Sequence, residues 1–426
     1  MSEALHARSV PLEYGPDALQ FDGSPTVLFD RPGLTLVGWG TAALVRAAEA
    51  PAALRVIPCD DTVGRAGSGV VALGALPFVD AMDGYLVIPR FTMGISRDAE
   101  GITRRWATAV GPTDAALPGT DELFDAVIWQ YGATPEVTDE PMVGALSSSM
   151  SSVAYGDMVA AAVSVMRESG ATLRKVVLSR PITVELDGPL PLSAVLRRLR
   201  AGEPNCTIFS MPVPDGTFFG ASPELLVARH GDKVSCHPLA GTVPRGDTAR
   251  ADADAQRGLA RSAKSRQEHG YVVDEIATTL GTYCDELSVP DEPSMVAFRS
   301  VAHLGTRIEG HLRTPVGVLE LLERLHPTPA VGGTPRAEAL DFIARHEADR
   351  RDYWAGPVGW VAADGDGEWM IGIRSARLDA DGATVTLRAG AGVVADSDPE
   401  AEAAETNVKL STVLEAVVPG ASVQLR

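Results

Sequence analysis

The sequence is poor in the features that mark several common classes of protein. Its four cysteines are scattered and include no CxxC pair. Such spacing argues against a disulfide framework or a metal–thiolate site, so we interpret all four as buried free thiols. No run of about 18 apolar residues is present, and residues 1–10 lack the apolar core of a signal peptide. We therefore expect a cytoplasmic protein that has no membrane partner.

Positive charge is also scarce. The chain has 37 Lys and Arg residues against 56 Asp and Glu residues, which gives a net charge of −19. Such an excess of acidic residues argues against nucleic acid and anionic membranes as partners. Because the acids are dispersed along the chain, an anionic substrate would need a local cluster of cations or a metal. We further expect a monomer, with a weak dimer as the alternative.

Hydrophobic patterning predicts strands at both ends of the chain and helices between them. Strand-like apolar runs occupy residues 35–39, 70–76, 85–89 and 126–131, and a polar loop at 132–152 precedes a helix at about 156–168. Further helices are predicted at 192–201, 250–284, 316–325 and 336–346, and further strands at 175–180, 207–212, 233–237, 356–360, 368–377 and 384–390. This order indicates an α+β fold rather than an alternating parallel one.

Acids, a lysine and glycines are concentrated near the C-terminus. Residues 389–392 read AGAG and residues 398–409 read DPEAEAAETNVK. On a helix starting there, Glu402, Glu405 and Lys409 share one face beneath a glycine loop. Such a group could hold a divalent metal and an anionic ligand together. An exposed, charged helix end is the alternative interpretation.

Eight motifs follow one another along the second part of the chain. They are KVVLSR (175–180), GASPELL (220–226), PLAGT (238–242), QEHGYVVDEI (267–276), HLGTRIEG (303–310), LHPTPAVGGTPR (325–336), IGIRSA (371–376) and GAG…DPEAEAAET (390–406). In this order they resemble the chorismate-binding enzyme family, which includes isochorismate, salicylate, anthranilate and aminodeoxychorismate synthases. The resemblance implies two stacked, mostly antiparallel β-sheets flanked by helices, as in anthranilate synthase component I. It also implies that a strand-rich part (1–150) and a chorismate-binding catalytic region (151–426) form one integrated domain around a cleft.

The resemblance implies an acid and a base for replacing the ring hydroxyl of chorismate. Lys175 would act as the general base, because a lysine in an apolar cleft gives up its proton more readily than one in water. A strand-end lysine that reaches solvent is the alternative. Glu224 would protonate the departing hydroxyl from a half-buried turn. Its alternative role is an ordinary acid at the N-terminus of a helix after Pro223.

A magnesium site is also implied by the resemblance. Glu268 and Glu405 would bind Mg²⁺ directly and Glu402 through a water molecule, since Mg²⁺ favours octahedral oxygen ligands. The metal would neutralise the ring carboxylate and orient the ring. An exposed position on a charged helix is the alternative for Glu268. Ser265 stands one turn earlier, where an acid near the metal is expected, which leaves the metal affinity open.

Cationic and small residues are implied to hold the substrate. Arg374 lies among apolar residues, and its guanidinium fits a carboxylate through two hydrogen bonds, with a structural salt bridge as the alternative. His326 is interpreted as a structural core residue. The other implied substrate contacts are Gly241, Thr242, His303, Ala330, Val331, Gly390, Ala391, Gly392 and Lys409.

These residues lead to isochorismate synthase as the main hypothesis: Mg²⁺-dependent addition of water at C2 of chorismate with loss of the C4 hydroxyl. Lys175 favours water as the nucleophile, since amine-transferring members carry glutamine there. Ala240 replaces the lysine that attacks the ring in aminodeoxychorismate synthases. A salicylate synthase, which also eliminates pyruvate, is the closest alternative, and a non-catalytic chorismate-binding regulator is less favoured. The sequence does not indicate whether the product enters menaquinone, siderophore or another biosynthesis.

Overall fold

The computed structural model describes residues 4–15, 25–98, 100–123, 125 and 142–421. The first strands are β1 (Leu5–Leu12), β2 (Val27–Arg31), β3 (Leu34–Arg46), β4 (Cys59–Asp61), β5 (Val71–Ala75), β6 (Tyr85–Arg97), β7 (Thr103–Pro112) and β8 (Val143–Ser147). The strands that follow are β9 (Lys175–Leu186), β10 (Thr207–Val213), β11 (Gly216–Ser222), β12 (Leu225–His230), β13 (Lys233–His237), β14 (Leu239–Pro244), β15 (Cys284–Ser288), β16 (Ser294–Ala297), β17 (Val301–Gly305), β18 (Ile308–Leu312), β19 (Gly333–Thr334), β20 (Pro357–Ala362), β21 (Gly367–Ile371), β22 (Ser375–Asp379) and β23 (Thr384–Val393). The α-helices are α1 (Ala50–Arg55), α2 (Ser152–Arg167), α3 (Leu192–Gly202), α4 (Ala249–Arg261), α5 (Ala263–Gly281), α6 (Val318–Leu325), α7 (Arg336–His346) and α8 (Pro399–Val417).

The strands pair in two rows that meet at β6. One row runs β4–β1–β7–β6–β3–β2–β10–β11–β22–β23–β9, and both β8 and β19 pair with β9. The other runs β5–β20–β21–β12–β13–β18–β15, and the pair Leu73–Val87 joins β5 to β6. Among the described strands, every pairing is antiparallel except β1–β4. A separate sheet is formed by β14–β17–β16. The predicted α+β class with mostly antiparallel sheets is therefore confirmed.

The two rows enclose a common core. Phe29 of β2 and Phe209 of β10 lie in the same buried cluster as Leu73 of β5 and Trp360 of β20. Apolar residues of both rows thus face one another, as in stacked sheets. Strands of the first 130 residues also pair with later ones, as β5 does with β20 and β2 does with β10. Among the described residues, no helix has the length and apolar content needed to cross a membrane.

One predicted helix and one predicted strand are each divided in two. The helix predicted at 250–284 is wrong because Ser262 has an extended backbone (φ −66°, ψ 113°) and separates α4 from α5. Its side chain accepts a hydrogen bond from the backbone N–H of Ser265, so the same residue caps α5. The strand predicted at 368–377 is wrong because Arg374 has a left-handed backbone (φ 51°) in the segment that separates β21 from β22.

Three smaller predictions are also changed by the structure. The loop predicted at 132–152 contains β8, and α2 begins at Ser152, while residues 132–141 and the predicted strand at 126–131 lie outside the described residues. All four cysteines are free thiols, but Cys59 is exposed rather than buried. Residues 389–392, predicted as a glycine loop, continue β23 to Val393 because they pair with β9 over their whole length.

Candidate active site

A cleft lies at the junction of β9, β23, the three-stranded sheet and helices α5 and α8. Most of the residues implied in substrate and metal binding line it: Glu224, Gly241, Thr242, Glu268, His303, Ala330, Val331, Arg374, Gly390, Gly392, Glu405 and Lys409. Three residues implied in the site are not among those that line the cleft. Lys175 reaches it through Glu268, while Ala391 and Glu402 are buried beside it.

Lys175 is a fully buried lysine at the start of β9. Its side chain has 0% exposure, so the alternative of a strand-end lysine that reaches solvent is excluded. The Nζ atom lies 3.1 Å from Oε1 of Glu268 but has no partner in hydrogen-bond geometry among the described residues. A buried amine normally has its donors satisfied, so Lys175 retains capacity to bind a water molecule or a substrate oxygen.

Gly392 allows Glu268 to approach Lys175. A Cβ atom at position 392 would overlap with Oε1 of Glu268 and would lie 3.1 Å from Cε of Lys175. Only glycine therefore leaves space for the carboxylate against β23. Side chains alternate along a strand, so positions 390 and 392 face the cleft while Ala391 points to the opposite side. This alternation explains why Ala391 is buried and does not line the cleft.

Glu224 is a buried carboxyl between β11 and β12. Burial raises its pKa to about 7, although the backbone N–H of Leu239 and the charges of Lys175, Lys409 and Arg374 act in the opposite direction. β12 begins at the next residue, so the alternative of a helix N-terminal acid is excluded. Near neutral pH this carboxyl is protonated in a substantial fraction of molecules and can donate a proton in the cleft.

Arg374 and His303 form a buried pair on one wall. Nη2 of Arg374 lies 3.0 Å from Nε2 of His303, and Nδ1 of His303 lies 3.2 Å from the carbonyl oxygen of Gly241. A guanidinium only donates and a carbonyl only accepts, so Nδ1 carries the proton and Nε2 accepts. Burial and the neighbouring Arg374 and Lys409 charges lower the pKa of His303 well below its usual value, which keeps the imidazole neutral.

In the described part of the chain, no acidic side chain forms a salt bridge with the guanidinium of Arg374. The alternative of a structural salt bridge is therefore excluded. The side chain that the guanidinium contacts through a hydrogen bond is the neutral imidazole of His303. A buried positive charge of this kind attracts an anion. Gly241 supports the arrangement, because it has a left-handed backbone (φ 70°) at a bulge where β14 pairs with β17. That bulge places Thr242 directly opposite His303 in the ladder.

Lys409 provides a second cation. Its Nζ lies 2.6 Å from Oε1 of Glu405 and donates a hydrogen bond of 3.0 Å to the carbonyl oxygen of Gly390. Both side chains belong to α8, which starts where Asp398 accepts a hydrogen bond from the backbone N–H of Ala401. The helix therefore presents an acid and a lysine to the cleft one turn apart.

The acids implied in metal binding do not all face the cleft. Glu268 and Glu405 line it with partly exposed side chains (14% and 24%), whereas Glu402 is 4% exposed and lies 2.5 Å from Nζ of Lys264. The described residues contain no group of three or more His, Cys, Asp or Glu side chains arranged around one point. Two accessible carboxylates fit a hard cation such as Mg²⁺, which takes its other ligands from water and substrate.

Residues 66–418 match the family described as chorismate binding enzyme. The chain belongs to the chorismate-binding enzyme family. This match covers most of the chain, so the family assignment made from the eight motifs is confirmed.

Similar proteins in the chorismate-binding enzyme family include isochorismate synthases and an anthranilate synthase component. The chain is 34% identical over 345 residues to the isochorismate synthase EntC of Escherichia coli, and the match covers 81% of this chain and 80% of EntC. Its fold is similar to that of MenF, the menaquinone-specific isochorismate synthase from E. coli (TM-score 0.81, 24% identity, 98% and 95% of the two chains). Anthranilate synthase component I of Streptococcus pneumoniae has the same fold (TM-score 0.72, 19% identity, 89% and 92%). The predicted fold type is therefore confirmed.

Sequence reasoning missed further side chains of the cleft, among them Trp354 and Arg388. Arg388 lies within the apolar strand β23 two residues before Gly390, a signal that could have been used. Trp354 belongs to a segment without regular periodicity, and its contact with the cleft depends on tertiary structure. His326, predicted as structural, lies outside the cleft lining and its Nε2 donates to the carbonyl oxygen of Phe78.

A buried charge network behind the cleft was missed as well. Arg351 contacts both carboxylate oxygens of Glu347, and it donates hydrogen bonds of 2.6 Å to the carbonyl oxygen of Val177 and 2.8 Å to that of Val331. Val177 and Val331 both line the cleft. Arg351 therefore holds two of its walls in a fixed relation.

Proposed function

We propose that this chain is an isochorismate synthase, which adds water at C2 of chorismate and expels the C4 hydroxyl. The observations that support this most strongly are a fully buried lysine, Lys175, 3.1 Å from the cleft carboxylate of Glu268, and a buried cleft carboxyl, Glu224, whose pKa is raised to about 7. The relationship with EntC, which bears this name, supports the same activity.

The cations of the cleft suit a dicarboxylate substrate. Chorismate carries one carboxylate on the ring and one on the enolpyruvyl side chain. Arg374 has a positive charge that no carboxylate of the described residues neutralises in a salt bridge, so it is the first candidate to bind a substrate carboxylate. Lys409 lies on the α8 side and is partly neutralised by Glu405. Two cations on different elements would fix the orientation of the substrate.

The reaction requires one proton to be removed and one to be supplied. In the proposed mechanism, Lys175 accepts a proton from the water molecule that attacks C2. The ring double bonds shift, the C4–O bond breaks, and Glu224 protonates the departing hydroxyl so that it leaves as water. One water enters and one leaves, so product and substrate are isomers. The raised pKa of Glu224 supports its role as the proton donor near neutral pH.

His303 is proposed to orient Arg374. As a neutral imidazole with its Nδ1 proton donated to Gly241, it presents a lone pair to the guanidinium. This contact fixes the plane of Arg374 without neutralising its charge. The anion-binding capacity of the arginine is thereby preserved for the substrate.

Glu268 and Glu405 are proposed to hold Mg²⁺, with Glu402 behind them. When bound, the metal supplies positive charge to the ring carboxylate of chorismate. Glu268 also lies 3.1 Å from Lys175, so the same carboxylate connects the metal position with the general base. In the same way, Glu405 connects the metal position with Lys409.

The remaining lining residues are proposed to limit the chemistry. Ala240 lines the cleft and provides no amine that could attack the ring. Ala330 and Val331 would form an apolar wall for the enolpyruvyl group, and they contribute no group that promotes pyruvate elimination. Isochorismate would therefore be released intact.

Product analysis tests the proposal. Purified protein is incubated with chorismate and Mg²⁺, the products are separated by chromatography, and pyruvate is followed with lactate dehydrogenase. We expect isochorismate to accumulate until it reaches equilibrium with chorismate, with little pyruvate. Stoichiometric pyruvate and fluorescent salicylate would instead indicate a salicylate synthase. Chorismate that binds but is not converted would indicate the non-catalytic regulator.

A further inference from the structure

A lysine–glutamate pair, in which only the glutamate is buried, connects helices α5 and α8 beside the candidate metal position. Nζ of Lys264 lies 2.5 Å from Oε1 of Glu402, and these residues are 138 positions apart in the sequence. Glu402 is almost fully buried, with 4% exposure, while Lys264 is 34% exposed. Among the described residues, no cation other than Lys264 forms a salt bridge with Glu402.

The pair is placed next to both acids of the cleft. Lys264 precedes Glu268 by four residues on α5, and Glu402 precedes Glu405 by three on α8, so each partner lies one helical turn from a cleft carboxylate. Partial burial lowers the pKa of Lys264, but the hydrogen bond to Glu402 and the negative charges of Glu402, Glu268 and Glu405 outweigh it, so the pKa is raised overall. The ammonium therefore interacts electrostatically with all three acids implied in metal binding.

We propose that Lys264 is a resident cation of the metal site that keeps Glu402 from coordinating the metal and sets a weak affinity for Mg²⁺. Two physical effects lead to this result. The ammonium occupies an oxygen of Glu402 that would otherwise be available to a cation. Its positive charge also opposes the approach of a divalent ion to Glu268 and Glu405.

The inference rests on the proposed function because both place Mg²⁺ at Glu268 and Glu405. The inference adds that one of the three acids, Glu402, is paired with an internal cation, Lys264, and does not coordinate the metal. A weak site suits an ion that is completed by substrate, since Mg²⁺ then binds together with the chorismate carboxylate rather than before it. Metal affinity without substrate is the quantity that separates this role from a purely structural salt bridge.

Calorimetric titration with Mg²⁺, without chorismate, tests the inference on the full chain. Lys264→Met keeps the length of the side chain and removes its charge, and we expect it to bind Mg²⁺ at least about fivefold more tightly than the unmodified protein. Lys233→Met is the matched control, because Lys233 is an exposed lysine on β13. The control should leave the affinity unchanged.

A double variant identifies the source of the gain. Lys264→Met combined with Glu402→Gln should lose most of the added affinity, because the carboxylate released by the first substitution is then absent. Lys264→Gln serves if Lys264→Met does not fold, since its amide can still donate a hydrogen bond to Glu402. Thermal unfolding with and without Mg²⁺ gives a second measure of the same affinity, because a bound ligand raises the unfolding temperature.

Unchanged or weaker Mg²⁺ binding in the folded neutral variants would overturn the inference. The same conclusion would follow if Lys233→Met tightened binding as much as Lys264→Met, since the effect would then be one of total charge. Absence of Mg²⁺ binding in every variant would overturn the inference together with the metal site. Chorismate turnover, measured separately, distinguishes these results from failure of the proposed reaction.

Discussion

The fully buried Lys175 places its Nζ 3.1 Å from Oε1 of Glu268, a carboxylate that lines the cleft. The pair joins β9 to α5 and depends on the missing side chain of Gly392. It connects the residue proposed to activate water with one of the two acids proposed to bind the metal. Substitution of Lys175 should therefore affect the activation of water, whereas substitution of Glu268 should affect metal binding.

Lys175→Ala should abolish isochorismate formation while leaving the fold intact. Loss of a general base typically lowers the rate about 10²–10⁴-fold, and Glu268 remains accessible to water without its partner. The measurements are the turnover number with saturating chorismate and the thermal unfolding temperature. Lys233→Ala provides a matched exposed control. A folded variant that keeps more than about a tenth of the turnover would contradict the assignment. Lys175→Gln is not expected to restore water addition, and ammonium salts reveal any amine product.

Glu224→Gln should stop the reaction, because the amide cannot protonate the departing hydroxyl. In the unmodified enzyme, kcat/KM should fall as the pH rises through about 7, where the buried carboxyl loses its proton. A pH profile of kcat/KM from 5.5 to 9 on the unmodified protein checks this, with the exposed Glu320→Gln as control. A profile that stays flat over this range would contradict the role of Glu224 as the acid.

The same pKa shift predicts a pH dependence of stability. The folded-state pKa of Glu224 lies above its ordinary value, so its contribution to stability is complete at acidic pH and is lost as the pH rises through about 7. Glu224→Gln should therefore unfold at a higher temperature than the unmodified protein at pH 8, and the difference should disappear near pH 4. A difference that grows towards acidic pH would have the wrong sign. The amide keeps an oxygen that can accept from Leu239.

Removal of the cleft acids should raise the Mg²⁺ requirement. Activity should vanish with EDTA, and Glu268→Gln and Glu405→Gln should each need much more Mg²⁺ for half-maximal rate, because Mg²⁺ binds weakly without carboxylate ligands. Glu402→Gln should have the smaller effect, since its carboxylate is buried against Lys264 and does not line the cleft. Full activity in chelator-treated protein would contradict the metal site. A larger effect of Glu402→Gln than of Glu405→Gln would show that Glu402 is the direct ligand and that Glu405 is the more distant acid.

The parts of the fold that could be predicted from sequence are those in which local signals agree. The strand at Lys233–His237 and the helix at Arg336–His346 have the predicted bounds, because their apolar patterns are limited by Gly, Pro and polar residues. The interruptions at Ser262 and Arg374 were not predictable from periodicity. One residue with an extended or left-handed backbone leaves the pattern of apolar positions nearly unchanged.

Prediction of the candidate site shows the same limit. Motifs identified which side chains to consider, but the partners of those side chains come from distant elements. The pairing of Lys264 with Glu402 joins residues 138 positions apart, and the space for Glu268 depends on a glycine of another strand. Arg351 likewise supports Val177 from a distance of 174 positions. Such contacts are products of tertiary packing, so the sequence could indicate candidates for the site without indicating their contacts.

The most direct test of the central claim is the fate of isotopically labelled water. The enzyme is incubated with chorismate and Mg²⁺ in H₂¹⁸O, and the products are analysed by mass spectrometry. The account predicts isochorismate that carries one ¹⁸O atom, in the C2 hydroxyl, and almost no pyruvate. Isochorismate without the label would show that water is not the nucleophile. Labelled salicylate together with stoichiometric pyruvate would show that the reaction does not stop at isochorismate.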